Sequence, residues 1–369
     1  MSEGATIPET AQPPAPVIKA GVPALVLAPM EGVTDAPMRA LMSELGGFTF
    51  CVTEFFRITQ GIPQPRAFHS HAPELATECC TPAGLPVQVQ LLGGNPERVA
   101  GAALSAVQAG CRAVDLNFGC PAPTVNRHDG GAVLLNHPHR IRAIVEAVRT
   151  ALPVEIPVSA KLRLGWDDPR AVHVNADQAA EGGAAWITIH GRTRFQGYRP
   201  PAFWKPIGQV RARLGIPVVA NGEIWTLDDL RRCRDETGCD HFMLGRGALA
   251  SPVLARVAAR AIGVPCEDGV CQFGRTPAEW LPLVRRFVEL SQPMANSTTY
   301  IACRVKQWLR IANYDGQMPW FDTLKRCADL KDLMGNLRRL AAAPMAADSW
   351  CEAGGYNTLV NDLGSILSD

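Results

Sequence analysis

Cys120 combines reactive chemistry with a constrained backbone. It stands in Asp115-Leu116-Asn117-Phe118-Gly119-Cys120-Pro121, preceded by the strand-like run Ala113-Val114-Asp115-Leu116. Gly119 and Pro121 force an extended exit that no helix could follow, so the thiol is expected at the tip of a strand. A free cysteine more often fills a core gap as a small hydrophobe. What favours chemistry is the company Cys120 keeps elsewhere in the chain.

Polar residues recur at the ends of apolar, strand-like runs: Glu31 and Gly32, Glu54, Gln88 and Gln90, Asn117, Lys161 and Arg163, His190 through Thr193, Asn221 through Glu223, and Gly245 through Gly247. The runs are Leu25–Met30, Phe48–Phe55, Pro86–Leu92, Ala113–Asn117, Pro157–Arg163, Ala185–His190, Pro217–Asn221 and His241–Gly245. Between them lie Ala-rich segments with helical spacing, such as Pro96–Ala109 and Ile141–Val148. Eight strand–helix units in succession predict an α/β fold, a (β/α)8 TIM barrel, over residues 24–262. A doubly wound open sheet is the competitor, but no GxGxxG follows the first strand.

A barrel places its active site at the C-terminal ends of its strands, so these polar residues are expected on one rim. The glycines after strands seven and eight suit a phosphate approached by backbone N–H groups, with Arg246 able to pair with it. Lys161 near the mouth would need an anion. A reduced flavin's N1/O2 edge is one, and a structural carboxylate is the alternative.

The remainder frames that barrel. Residues 1–23, with five prolines and no apolar period, read as a flexible leader. Beyond a Pro/Gly-containing connection, helical patterns at Ala278–Leu290, Tyr300–Ala312, Trp320–Met334 and Asn336–Ala343 predict a small helical domain over residues 263–343. Residues 344–369 read as a loosely ordered tail. Charge is balanced overall, 36 Lys+Arg against 35 Asp+Glu, yet residues 256–340 hold 13 basic and 8 acidic side chains. That local excess suits an anionic partner or solvated helix faces. Arg304 and Lys306 beside Trp308 form a basic helix with an aromatic, which either grips phosphates or packs its tryptophan and leaves its charges in water.

Twelve cysteines include no CxxC pair and no signal peptide precedes them, so reduced thiols in the cytoplasm are expected. Cys266 and Cys271 offer half a zinc site with no second ligand pair, and no metal is expected. No apolar run is long enough to span a membrane.

With these residues in place, the chain from Ala24 to about Leu340 resembles the tRNA-dihydrouridine synthases. The likeness rests on seven ordered motifs: Leu27 through Asp35, Gln88 through Gly93, Asp115 through Pro121, Lys161 through Trp166, His190 through Thr193, Asn221 through Ile224, and Gly245 through Ala248. Val52 through Arg57, Trp225 after Ile224, and Arg304 through Leu309 look like the bacterial C-type (DusC) branch, which is associated with uridine 16 of the tRNA D-loop. The resemblance implies a flavin barrel followed by a helical tRNA-binding domain. It implies FMN contacts at Pro29, Met30, Glu31, Gln90, Lys161, His190, Asn221, Gly222, Glu223, Gly245 and Arg246, with Cys120 as the catalytic cysteine. It implies tRNA contacts at Arg57, Asn117, Tyr198, Arg304 and Lys306, with Lys325 less closely matched. Where relatives often carry a lysine two residues beyond the Cys-Pro, this chain has Pro123.

The implied activity is NADPH- or NADH-driven reduction of a tRNA uridine by a monomer. A flavin barrel acting on a free pyrimidine would have no use for Arg304 and Lys306. A non-catalytic RNA-binding barrel would have none for Cys120, Lys161 and His190.

Overall fold

The computed structural model describes residues 15–269 and 272–343. The residues before and after, and Cys271 with the zinc half-site it entered, lie outside the described residues. Eight parallel strands close into one barrel in sequence order: β1 (Ala24–Leu27), β2 (Phe50–Arg57), β3 (Val87–Leu92), β4 (Val114–Asn117), β5 (Val158–Arg163), β6 (Trp186–His190), β7 (Val218–Asn221) and β8 (His241–Leu244). Closure is made by β1 against β8, with Ala24 opposite His241 and Leu27 opposite Leu244. The expected fold class is the observed one.

Local signals explain the helices between strands. Pro96–Gln108 opens on Asn95, whose side chain accepts the Arg98 N–H, with Pro96 in the first turn where its missing donor costs nothing. It buries Val99, Ala102, Ala103 and Ala106 against the sheet. Leu227–Thr237 opens with a reciprocal capping box between Thr226 and Asp229.

Side chains alternate across a strand, so every second residue of each strand points into the barrel. The bottom layer is apolar: Val26, Phe50, Trp186, Val219 and Met243 form one buried cluster. Ile18 joins that cluster and is 4% exposed. The leader's last residues therefore plug the barrel's open lower end rather than trail freely, because that end is apolar and otherwise wet. One layer up the interior turns polar, with Gln88, Asp115 and Ser159 buried. The hydrogen bond from Gln88 on β3 to Ser159 on β5 crosses the interior, since β4 separates those strands in the sheet.

After the helix Leu254–Ile262, stopped by left-handed Gly263, helices Pro277–Ser291, Thr298–Ala312 and Leu330–Ala342 pack on one another and on the helices Ala36–Leu45 and Arg246–Ala250 that follow β1 and β8. The continuous helix expected over Trp320–Met334 is broken. Phe321–Leu324 is a single turn, and a new helix begins at Leu330 because Asp329 caps it through the Asp332 N–H. Trp280, Phe287 and Trp308 meet edge-to-face at 5.4–5.5 Å in this second core. Trp308 also donates its indole N–H to Leu249 O at 3.0 Å, tying the helices to the barrel's last turn. Among the described residues no helix is long and apolar enough to cross a membrane.

Candidate active site

The C-terminal rim encloses a cavity of about 350 Å3. Its floor is a buried chain of hydrogen bonds. Ser159 Oγ donates to Asp115 Oδ1 (2.5 Å), Gln90 Nε2 donates to Asp115 Oδ2 (2.7 Å), and Asn117 Nδ2 donates to Gln90 Oε1 (2.7 Å). Asn117 then uses its other end: Oδ1 accepts the backbone N–H groups of Gly119 and Cys120, each at 2.9 Å. Burial pushes the Asp115 carboxyl up, while the Ser159 and Gln90 donors and the Lys161 charge pull it back. This network fixes the Cys120 turn from beneath. Arg163 holds it from the side, its Nε donating to Gly119 O at 2.8 Å.

Four cations line the cavity, Lys161, Arg163, Arg192 and Arg246, against two carboxylates, Glu31 and Glu223. Lys161 is pushed down to about 8 by burial and then by Arg163, and its Nζ reaches Asn221 Oδ1 at 3.1 Å. Arg192 is fully buried, pairs with Glu223, and is pushed down to about 10 by burial and by Arg246 and Arg163. Burial, with the charges of Arg163 and Lys161, holds His190 well below its ordinary value, so its imidazole is neutral near pH 7. Arg192 Nη1 lies 3.2 Å from His190 Nε2. Arginine only donates, so Nε2 accepts and the ring proton sits on Nδ1.

Aromatic faces distribute part of this charge. The Arg246 guanidinium lies 5.3 Å from the Tyr198 ring and 5.0 Å from the Trp225 ring. Trp225 stacks on Tyr314 of the helical region at 4.2 Å, so the cavity wall and the helices share one stack. Gly222 is required at its place: φ is +114°, and a Cβ would lie 2.6 Å from the His190 ring.

Cys120 is half-buried at the edge of this cavity. Burial pushes its thiol above the ordinary value and Glu31 adds to that, against the Ala122 N–H and the charges of Arg163 and Arg57. The thiol is therefore protonated near neutral pH, which suits a proton donor better than a nucleophile. Glu31 is itself pushed up by burial and by Glu54.

All eleven positions expected around a cofactor line this one cavity, as do Cys120, Asn117 and Tyr198. Arg163, Arg192 and Trp225 line it too, although the resemblance assigns them no contact; strand alternation from Lys161 and His190 points to the first two. Arg57 sits outside, at the end of β2, donating to Thr124 O at 2.9 Å. Pro123 begins a helical turn, Pro123–Asn126, three residues after the cysteine.

Arg304 is anchored inside the protein. It is 5% exposed, its Nε paired with Asp35 Oδ2 at 2.9 Å and its Nη2 bonded to Val33 O at 2.6 Å. Its own helix reads as basic, but the facing loop of the barrel covers the guanidinium and supplies its counter-charge. Lys306 is turned to Cys327 O, and Lys325 pairs with Asp322 on an exposed face.

Comparison with known proteins identifies the family. The family profile described as "Dihydrouridine synthase (Dus)" matches residues 26–345. The tRNA-dihydrouridine(16) synthase of Shewanella oneidensis is 43% identical over 304 residues, 82% of this chain and 92% of that protein. The tRNA-dihydrouridine(16) synthase of Aquipseudomonas alcaligenes is 44% identical over 77% of this chain and 89% of its own length. Among solved structures, histamine dehydrogenase from Rhizobium sp. 4-9 superposes with a TM-score of 0.50 at 14% identity, over 72% of this chain and about half (49%) of that longer one, a likeness of fold alone. The chain belongs to the dihydrouridine synthase family.

Proposed function

We propose that this protein reduces a tRNA uridine to 5,6-dihydrouridine, at position 16 of the D-loop, with FMN as prosthetic group and NADPH, or else NADH, as reductant. The position follows the names carried by its relatives. The observation that carries the chemistry is the half-buried Cys120 thiol lining a cation-rich cavity on a barrel's C-terminal rim, where burial favours its protonated form.

The residues present fit FMN. Burial depresses Lys161, Arg163, Arg192 and Arg246 together, a cost that an anion in the cavity would relieve. Gly222 and Gly245 line the cavity together with Arg246, whose guanidinium suits a phosphate. Pro29, Met30, Gln90, Lys161 and His190 would hold the ring system, and Asn221, Glu223 and Arg246 the remainder. When bound, FMN supplies two-electron chemistry, accepting a hydride from a nicotinamide and delivering one to a pyrimidine ring.

The chain's own residues do the rest. Cys120 Sγ holds the proton destined for C5 of the uracil, and Asn117 and Arg163 keep that sulfur on station. Gln90 is held by Asp115 and Asn117, so its amide cannot rotate away from the floor. The target base must leave its stack to reach a cavity of this depth. Arg57, Asn117, Tyr198 and Lys306 are the proposed RNA contacts, with Lys325 at the margin. All ten described cysteines are free thiols, which accords with a cytoplasmic protein, and we take it to act as a monomer. The decisive experiment is to incubate the purified protein with unmodified tRNA and NADPH and map dihydrouridine by mass spectrometry. Product at position 16 supports the proposal; a yellow protein that reduces free uracil derivatives and leaves tRNA untouched refutes it.

A further inference from the structure

A second depression, about 550 Å3, lies on the same rim between the ends of β2 and β3 and the loop that follows Cys120. Its wall carries Arg57, Arg98, Arg127 and His128, and its single carboxylate, Asp129, is taken by Arg140 through two hydrogen bonds of 2.7 and 2.6 Å. The groove is therefore net positive. Its shape is fixed by close backbone approach: a Cβ on Gly94 would collide with Asp129 O, so only glycine lets the two loops meet. Arg98 donates to Thr59 O at 2.8 Å and Arg57 to Thr124 O at 2.9 Å, which anchors both guanidinium groups with donors to spare. Arg127 is exposed, and its side chain makes no hydrogen bond or ion pair among the described residues.

The groove lies beside the active site, because Arg57 in its wall donates to Thr124 O in the loop that follows Cys120. Arg57 belongs to its lining and also acts electrostatically on the Cys120 thiol. The helical region reaches the cavity from another side, through Ile311 and Trp225–Tyr314. A polynucleotide that offers one base to Cys120 must leave the mouth with its backbone. On the β2–β4 side, the positively charged surface beside that mouth is this groove.

We propose that this groove binds a backbone phosphate of the RNA strand next to the target nucleotide, through Arg98 and Arg127 together with Arg57; the inference rests on the tRNA-reducing activity proposed above. A phosphodiester fits better than the adenosine end of a nicotinamide dinucleotide. No phenyl, phenol or indole ring lines the groove, and its one large apolar residue, Ile58, is buried. It offers cations without a broad stacking face, which is how backbone phosphates are held.

The test is a salt titration of unmodified tRNA binding to the FMN-loaded protein, comparing wild type, Arg98→Ala/Arg127→Ala, Arg127→Ala alone and Arg98→Lys/Arg127→Lys. Removal of each cation from a phosphate should flatten the slope of log K against log salt by about 0.7–0.9, so the double alanine variant should fall by about 1.4–1.8. Arg127→Ala, which disturbs no internal hydrogen bond, should fall by about half of that, and the lysine variant should restore the slope. A wild-type slope in both alanine variants overturns the proposal. So does an unchanged slope with a raised KM for NADPH, which would give the groove to the reductant. Wild-type protein that binds no tRNA fails the underlying reading instead, a result distinct from either.

Discussion

Replacing Arg304 with alanine distinguishes a tie between barrel and helices from a contact to RNA. Its guanidinium is held by Asp35 at 2.9 Å and by Val33 O at 2.6 Å, with Gln307 as a third partner, and it lies 5.8 Å from the Phe287 ring. Asp35 has a second duty, accepting the Met38 N–H at 3.2 Å to cap the helix Ala36–Leu45. Removing one partner of a buried pair costs about 3–5 kcal/mol, because the other charge is left unmatched. Here the Asp35 side chain is 19% exposed and keeps the Met38 N–H, so the lower end, about 3 kcal/mol, is expected. With an unfolding entropy of about 2.1 cal/mol/K per residue over roughly 330 residues, that is a fall of about 4 °C in Tm. Calorimetry on the FMN-loaded protein measures it. A double-mutant cycle with Asp35→Asn should return a coupling energy of about 1–3 kcal/mol. If Arg304→Ala melts with wild type while its tRNA salt slope falls by about 0.7–0.9, the residue is an RNA contact and the tie is wrong.

Cys120→Ala should slow reoxidation of the reduced flavin by tRNA about 10²–10⁴-fold, the usual worth of a positioned general acid, while reduction by NADPH proceeds; stopped-flow absorbance separates the two steps. Because burial raises the thiol, the donor is competent below its raised pKa and lost above it, so the wild-type single-turnover rate should hold past about pH 8.5 and then fall. A fall beginning below that value would mean a stabilised thiolate and a different role. Arg246→Ala should weaken FMN retention by about 1.5–3 kcal/mol, or roughly 10–150-fold in Kd, read by flavin fluorescence after dilution. Full retention would place the phosphate elsewhere.

The amino-acid sequence by itself determined the barrel and the membership of its rim. Strand period and helix caps are local, so eight runs ending in polar residues could be read in order, and strand ends in a closed barrel have only one place to converge. Cys120 was legible for the same reason, since glycine and proline fix its turn without help from distant residues. Tertiary structure decided what depends on contacts across hundreds of positions. Arg304 meets Asp35, 269 residues away, and so became a buried tie where its helix alone suggested a surface cation. Ile18 found the open end of the barrel, which no leader sequence announces. The break at Asp329 reflects a cap overriding an apolar period. The basic groove exists only because the end of β2 at Arg57, the first turn of the helix at Arg98 and the loop at Arg127 are brought side by side by a closed sheet. Local propensity fixes which element a residue joins; the partner that sets its charge and burial is chosen only when the chain closes.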